Sequence, residues 1–457
     1  MAIATVNPTT GVTERSFEPL TPEELDARLE CASAGVANLR RISLEGRTAL
    51  LNRLADILDD EVDRMAAIMT TEMGKTLTAA KAEVRKCALG CRYYADNAAA
   101  MLAAEPADAA AVGASRAEVR YQPLGVVLAV MPWNFPAWQA IRFIAPALAA
   151  GNAVLLKHAS NVPQSALLIE ELVAEAGFPE GAMQTLLITS EQVASVLRDD
   201  RVAAATLTGS ENAGRAVASV AGEQLKKMVL ELGGSDPFIV LPSADIERAA
   251  DVAVTARTQN NGQSCIAAKR FIVHHDVYEA FTDAFVARMA ALRVGDPTDP
   301  ETQVGPLASR SGVAEMTELV DDAKSKGARV LCGGAPLEGD GWFYPPTVVA
   351  DINTDMRLFH EEAFGPLASL YRVASLDEAI DLANATRFGL GSSVWTEDDD
   401  EAARCVESIE SGAVFVNGMT ASFPELPFGG VKLSGYGREL SLYGLREFCN
   451  AKTVWVR

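Results

Sequence analysis

Apolar runs of strand length alternate with amphipathic stretches through the middle of the chain. The run 126–131 is wholly apolar, as a parallel strand buried on both faces should be. Comparable runs lie at 152–157, 183–188, 203–207 and 227–231, and a helical pattern over 163–176 separates the second from the third. Such alternation predicts a doubly wound parallel sheet. It restarts after Gly234, with strands expected at 237–241, 270–274 and 413–417 and helices over 250–260 and 277–292. The first quarter reads as a helical packing layer. Thr21-Pro22-Glu23-Glu24 offers an N-cap, a proline at the first helical position and a capping-box glutamate,. Leu50, Leu51, Leu54, Ile57 and Leu58 recur on one helical face,. Two weaker patterns, at 118–122 and 453–456, predict strands that pair as a hairpin, an edge or an addition to a neighbouring sheet.

Composition narrows the classes. At 457 residues the chain is too long for one small core, and two or three domains are expected. Its hydrophobic share of 49% and charged share of 22% are those of a soluble globular enzyme,. A formal charge of −21 argues against nucleic acid or an anionic membrane as partner,. Seven cysteines without regular spacing suggest no disulfide framework and point to a reducing, cytoplasmic setting,. No CxxC or HExxH occurs, and the histidines are only His158, His274, His275 and His360, so no metal site is expected. The first residues show no basic region followed by an apolar stretch, so no signal peptide is expected,. No apolar run reaches spanning length.

The candidate chemistry begins at Asn260-Asn261-Gly262-Gln263-Ser264-Cys265, where a cysteine follows a Gly-Gln turn. A thiolate attacks carbonyl carbon if its pKa is depressed or a base stands near. Glu231, at the end of an apolar run, offers a carboxylate that either serves as that base or activates a water in a later step,. Gly209-Ser210, after a strand and before a helix, offers backbone donors for a pyrophosphate,. Each feature alone has a plainer reading: a buried small thiol, a glycine turn, a solvated strand end at Lys157, a surface acid at Glu362, a core ring at Phe364.

Taken in order, Pro132-Trp133-Asn134-Phe135-Pro136, Lys157, Thr208-Gly209-Ser210, Leu230-Glu231-Leu232-Gly233-Gly234, Gly262-Gln263-x-Cys265, Glu362-x-Phe364-Gly365-Pro366 and Pro427-Phe428-Gly429-Gly430 resemble the aldehyde dehydrogenase superfamily over nearly the whole chain. The start is shorter than in many members. The resemblance implies an α/β fold with a Rossmann-like dinucleotide-binding domain (1–106 and 124–231), an α/β catalytic domain (232–442) and a small β oligomerisation element (107–123 and 443–457) serving a homo-dimer or homo-tetramer. It implies Cys265 as nucleophile, Asn134 and the Cys265 N–H as oxyanion donors, and Glu231 as activator of the hydrolytic water. Trp133, Lys157, Ser160, Gly209, Ser210, Glu362 and Phe364 would line the cofactor.

One departure bears on the cofactor. Members that prefer NAD commonly carry a glutamate three positions after the ribose lysine; here that position is Ser160. A serine removes the repulsion of a 2′-phosphate and can donate to it, so NADP is expected, with NAD possible. For the substrate, Arg142, Ser422 and Ser264 resemble the succinate-semialdehyde branch. Positions 134, 138 and 142 share a face if a helix begins by Asn134, which would aim Arg142 into the aldehyde tunnel as a carboxylate clamp; the competing role is an interdomain ion pair. Ala267 stands where many enzymes of that branch have a second cysteine, so a local redox disulfide is excluded. The expected reaction is NADP-preferring oxidation of succinate semialdehyde to succinate. The rivals are another aldehyde, such as glutarate semialdehyde or an uncharged aliphatic, and non-redox thioester or ester hydrolysis.

Overall fold

A computed structural model describes residues 2–457. Among them two large sheets are built mainly from parallel strands. The first has the order Gly435–Tyr436, Lys227–Glu231, Val202–Thr208, Val126–Met131, Ala153–His158, Met183–Thr185. Its strands are parallel except Gly435–Tyr436, which runs antiparallel to Lys227–Glu231. The second has the order Arg329–Cys332, Thr347–Ala350, Leu367–Val373, Ala268–His274, Asp236–Val240, Ser393–Trp395, Phe415–Val416, with only Arg329–Cys332 antiparallel. A three-stranded antiparallel sheet joins Cys449–Val456, Arg116–Pro123 and Glu105–Pro106. An N-terminal hairpin, Ile3–Val6 with Thr13–Phe17, is a further element that the apolar pattern does not announce.

The helices form where the pattern places them. Pro22–Arg41 opens with the Thr21–Glu24 capping box. In Leu44–Asp60 the residues Leu51, Leu54 and Leu58 are buried, while Leu50 and Ile57 sit at the edge of the face. Trp138–Ala150 is buried along its whole length, Gln139 and Arg142 included. A helix apolar on all sides belongs between two layers, and this one is packed between the first sheet and the helix Leu77–Met101.

Two expectations need correction. The Trp138–Ala150 helix begins after Asn134, which lies in the turn before it. Trp138 and Arg142 therefore share a helical face without Asn134. Pro136, just upstream, has no N–H, and Ala137 supplies no side-chain cap,. The second correction concerns the segment from 428 onward. Phe428, Leu440, Leu445 and Phe448 join the core of the first sheet, and Gly435–Tyr436 adds a strand to it. The chain thus returns to the first lobe before 442, and the helix Ser441–Glu447 packs on Trp138–Ala150 rather than on the three-stranded sheet. Burial of these apolar side chains drives the return.

Candidate active site between the two sheets

The predicted residues converge at the carboxyl ends of the first sheet's strands, where α/β proteins place ligands. Trp133 and Asn134 follow Val126–Met131, Lys157 is near the end of Ala153–His158, Gly209 and Ser210 follow Val202–Thr208, and Glu231 ends its strand. The opposite wall comes from the second lobe.

A cavity of about 540 Å³ is lined by Trp133, Asn134, Gly209, Ser210, Cys265, Glu362 and Phe364. The Trp133 and Phe364 rings meet edge to face across it, centroids 5.6 Å apart. Glu362 Oε1 accepts from the Gly234 N–H at 3.2 Å and pairs with Lys269 Nζ at 3.1 Å. A β-carbon on Gly233 would come within 2.4 Å of Glu362 Oε2, which accounts for a glycine at that point. Ser210 is the N-cap of the 13-residue helix Glu211–Glu223, its hydroxyl accepting from the Ala213 N–H at 3.3 Å. The remaining N–H groups of that first turn face outward as an anion-binding end. Lys157 and Ser160 do not line this cavity. Lys157 is buried to 9% exposure, and Ser160 borders a shallow neighbouring recess with His158 and Ala159. Burial lowers the Lys157 pKa.

A second cavity, of about 290 Å³, reaches Cys265 from the other side. Only Gln139 and Cys265 line both. Its wall is mainly apolar, with Phe135, Trp138, Ile266 and Phe428, but it also carries Lys75, Lys86, Arg142, Ser264 and Ser422. The thiol thus stands where an elongated chamber meets a narrower tunnel.

The loop bearing Cys265 is held by side chains that local sequence pattern does not single out. Asn260, Asn261 and Gly262 are consecutive left-handed residues, with φ of 55°, 57° and 76°, a conformation suited to asparagine and glycine alone. A β-carbon on Gly262 would lie 2.3 Å from the Gly365 carbonyl carbon, so the nucleophile loop and the Glu362–Pro366 motif touch backbone to backbone. Asn260 Nδ2 donates to the Asn134 carbonyl at 2.6 Å, and Asn134 Nδ2 donates to the Gln263 carbonyl at 3.0 Å. Asn261 Nδ2 reaches the Gly74 and Pro306 carbonyls at 2.9 and 3.0 Å. Buried Lys269 donates to the Ser264 and Cys265 carbonyls at 2.7 and 2.6 Å. His158 accepts from the Ala159 N–H through Nδ1 at 3.0 Å, leaving Nε2–H to donate to the Pro136 carbonyl at 2.9 Å. Its burial drives its pKa down to about 4, so it stays neutral.

The chemistry available follows. An amide nitrogen carries two donors, and Asn134 has spent one on Gln263. The Cys265 N–H makes no hydrogen bond among the described residues. Both can serve an oxyanion beside the sulfur. Burial in the cleft pushes the Cys265 thiol up to about 12, with Lys269 and Arg142 pulling it down. Glu231 lines neither cavity; both its oxygens are buried without a partner, and Oε1 rests against Gly429. Burial and the neighbouring Glu439 hold its pKa well above the carboxylate range. Arg142 is engaged: its Nε lies 2.5 Å from Glu439 Oε2, a close charge contact without hydrogen-bond alignment, and Nη2 donates to Thr208 at 3.3 Å. The ion-pair role of Arg142 is therefore the one the geometry displays. Ser264 Oγ is buried and free of hydrogen bonds.

Glu83 sets the entrance helix. Its Oε1 accepts from the Ala137 and Trp138 N–H groups, each at 2.9 Å, and its Oε2 pairs with fully buried Lys75. It thereby caps a helix that lacks a cap of its own. Replacing Glu83 by Ala should orphan Lys75 and cost about 3–5 kcal/mol, read as a lower urea midpoint; Glu83→Gln, which keeps an acceptor, should lose less.

These features define a dehydrogenase that works through a cysteine beside a dinucleotide cleft. The chain belongs to the aldehyde dehydrogenase family, whose profile matches residues 1–454. It is 62% identical over 456 residues to the Mycobacterium tuberculosis (strain H37Rv) protein named succinate-semialdehyde dehydrogenase (NADP+) 1, covering all of both chains. The Mycobacterium ulcerans protein of the same name is also 62% identical, over 457 residues and all of both chains. Among solved structures, succinic semialdehyde dehydrogenase from Streptococcus pyogenes in complex with NADP+ superposes with a TM-score of 0.97 at 40% identity, again over all of both chains.

Proposed function

We propose that the protein oxidises succinate semialdehyde to succinate with NADP as hydride acceptor. The observation that carries this reading is the position of Cys265 at the junction of a dinucleotide-sized cavity and a narrow tunnel containing cationic and hydroxyl groups. The names of the mycobacterial relatives support the same substrate and cofactor.

The residues present fit a dinucleotide. Lys157 brings a buried ammonium with no carboxylate partner among the described residues, Gly209 and Ser210 lead into a helix N-terminus, Glu362 faces the inner end, and Trp133 and Phe364 flank it. When bound, the nicotinamide supplies the acceptor for hydride. Cys265 adds to the aldehyde carbon, forming a C–S bond as the carbonyl oxygen takes up negative charge. The Asn134 amide and the Cys265 N–H hold that oxygen. Loss of hydride from the same carbon leaves a thioester on Cys265. Glu231 then turns from Gly429 toward the thioester and takes a proton from the attacking water, whose oxygen displaces the sulfur and releases the acid. The depth of the site keeps bulk water away until then.

Ser160 sets the cofactor preference in this reading. Initial rates with succinate semialdehyde should give a higher kcat/KM with NADP than with NAD, and the reverse ranking would reject it. Ser160→Glu should lower kcat/KM for NADP at least about tenfold, because a carboxylate would face the 2′-phosphate, while NAD is spared. The three-stranded sheet, with Trp455 and Val456 exposed at 49% and 38%, serves subunit association in a homo-dimer or homo-tetramer. A cytoplasmic location belongs to the same reading and agrees with seven free cysteines. No helix among the described residues is long and apolar enough to cross a membrane.

A further inference from the structure

Three cations line the tunnel that reaches Cys265: Lys75, Arg142 and Lys86. Two are neutralised in place. Lys75 pairs with Glu83, and Arg142 pairs with Glu439 and lies over the Phe428 ring. Lys86 has no carboxylate partner among the described residues. Its Nζ donates to Ser422 Oγ at 2.9 Å and sits 4.5 Å from the centre of the Trp138 ring. An ammonium has three donors, so two remain. Ser422 Oγ also accepts from Trp138 Nε1 at 2.9 Å. With both lone pairs taken by Lys86 and Trp138, the hydroxyl hydrogen of Ser422 can only donate outward. The tunnel therefore ends in an uncompensated positive charge and a hydroxyl oriented as a donor, in an otherwise apolar wall.

We propose that Lys86, with the Ser422 hydroxyl it orients, receives the far-end carboxylate of the aldehyde substrate, and that Arg142 is held out of this role by Glu439. The assignment rests on the carboxylated-aldehyde reading above. Position explains the choice. Ala79, Ala82, Glu83 and Lys86 follow one another at helical spacing along Leu77–Met101 and face the tunnel together,. The small alanines leave room for a short carbon chain, and Lys86 stands at its end.

Lys86 is half-buried, and burial with the nearby Arg142 charge lowers its pKa to about 8, while Cys87 and Glu83 pull the other way. The groups facing it are thus Glu83 and Cys87 on its own helix and Arg142 on the neighbouring one; Ser422 and Trp138 do not titrate in this range. A lysine bound by this logic loses its grip on a carboxylate as pH rises through about 8, whereas an arginine does not.

The test is the ratio of kcat/KM for succinate semialdehyde to that for butanal, which cancels effects common to both, including ionisation of Cys265. In the unaltered enzyme the ratio should exceed one and fall as pH rises through about 8. Lys86→Met should lower the ratio about tenfold or more, through loss of a charge-assisted hydrogen bond. Lys86→Arg should keep the ratio high and make it independent of pH over the same interval. A Lys86→Met ratio equal to that of the parent, a parent ratio flat in pH, or a loss confined to Arg142→Met would each overturn the assignment. A parent enzyme that does not favour succinate semialdehyde over butanal would reject the carboxylated substrate itself, a separate outcome from failure of Lys86 alone. The parent pH profile needs no substitution, so it decides the matter even if Lys86→Met does not fold.

Discussion

Replacing Cys265 by Ala should lower kcat for aldehyde oxidation on the order of 10⁴-fold or more, the scale seen when a covalent nucleophile is removed. NADP binding, read by quenching of protein fluorescence, should survive, because the dinucleotide contacts lie on other residues. Retention of NADPH formation by Cys265→Ala would remove the covalent route altogether. The thiol has a further signature. Burial pushes it up to about 12 in the ligand-free enzyme, so it is protonated at neutral pH and its thiolate fraction grows as pH rises. Alkylation by iodoacetamide, which needs the thiolate, should therefore accelerate steadily with pH and reach no plateau near 8 or 9, where an unperturbed cysteine levels off. A plateau there would mean that Lys269 and Arg142 outweigh burial at the sulfur.

Much of this site is legible in the chain because its parts are local motifs. Strand ends announce themselves as apolar runs, and the run 126–131 is observed as the strand Val126–Met131. The Thr21 capping box forms as its spacing requires. The residues that sequence reasoning misses act over long separations. Lys86 and Ser422 are 336 positions apart, and no periodicity within either segment marks the pair. Arg142 is informative in a different way. Its spacing from Trp138 is helical, as expected, yet what the guanidinium meets is decided by Glu439 on a segment that returns to the first lobe late in the chain. His158 and Asn260 hold backbone carbonyls of other loops, and a carbonyl partner leaves no trace in side-chain pattern. The strands Thr347–Ala350 and Leu367–Val373 are missing from the sequence reading, although both are mostly buried; short apolar runs between turns do not distinguish a strand from a core loop. The hairpin strand Thr13–Phe17 is exposed and polar, so it carries no alternation to read.

Glu231→Gln should release NADPH in a single pre-steady-state burst of about one equivalent and then turn over on the order of 10²- to 10⁴-fold more slowly than the parent, the range for loss of a general base. The substitution keeps the volume of the side chain and removes its basicity. In the parent, burial and Glu439 raise the Glu231 pKa well above the carboxylate range, with Arg142 and Arg438 opposing. The base form is then scarce at neutral pH and increases as pH rises, so steady-state turnover limited by thioester hydrolysis should climb with pH, and the climb should vanish in Glu231→Gln. The same variant separates the two roles open to this carboxylate. If Glu231 only activates water, the burst keeps its full amplitude, because acylation of Cys265 comes before its step. If Glu231 also takes the thiol proton, the burst slows in parallel with turnover. A burst and a steady state both at parental rates would exclude either role. Its carboxylate would then be only a buried neighbour of Glu439, resting against Gly429.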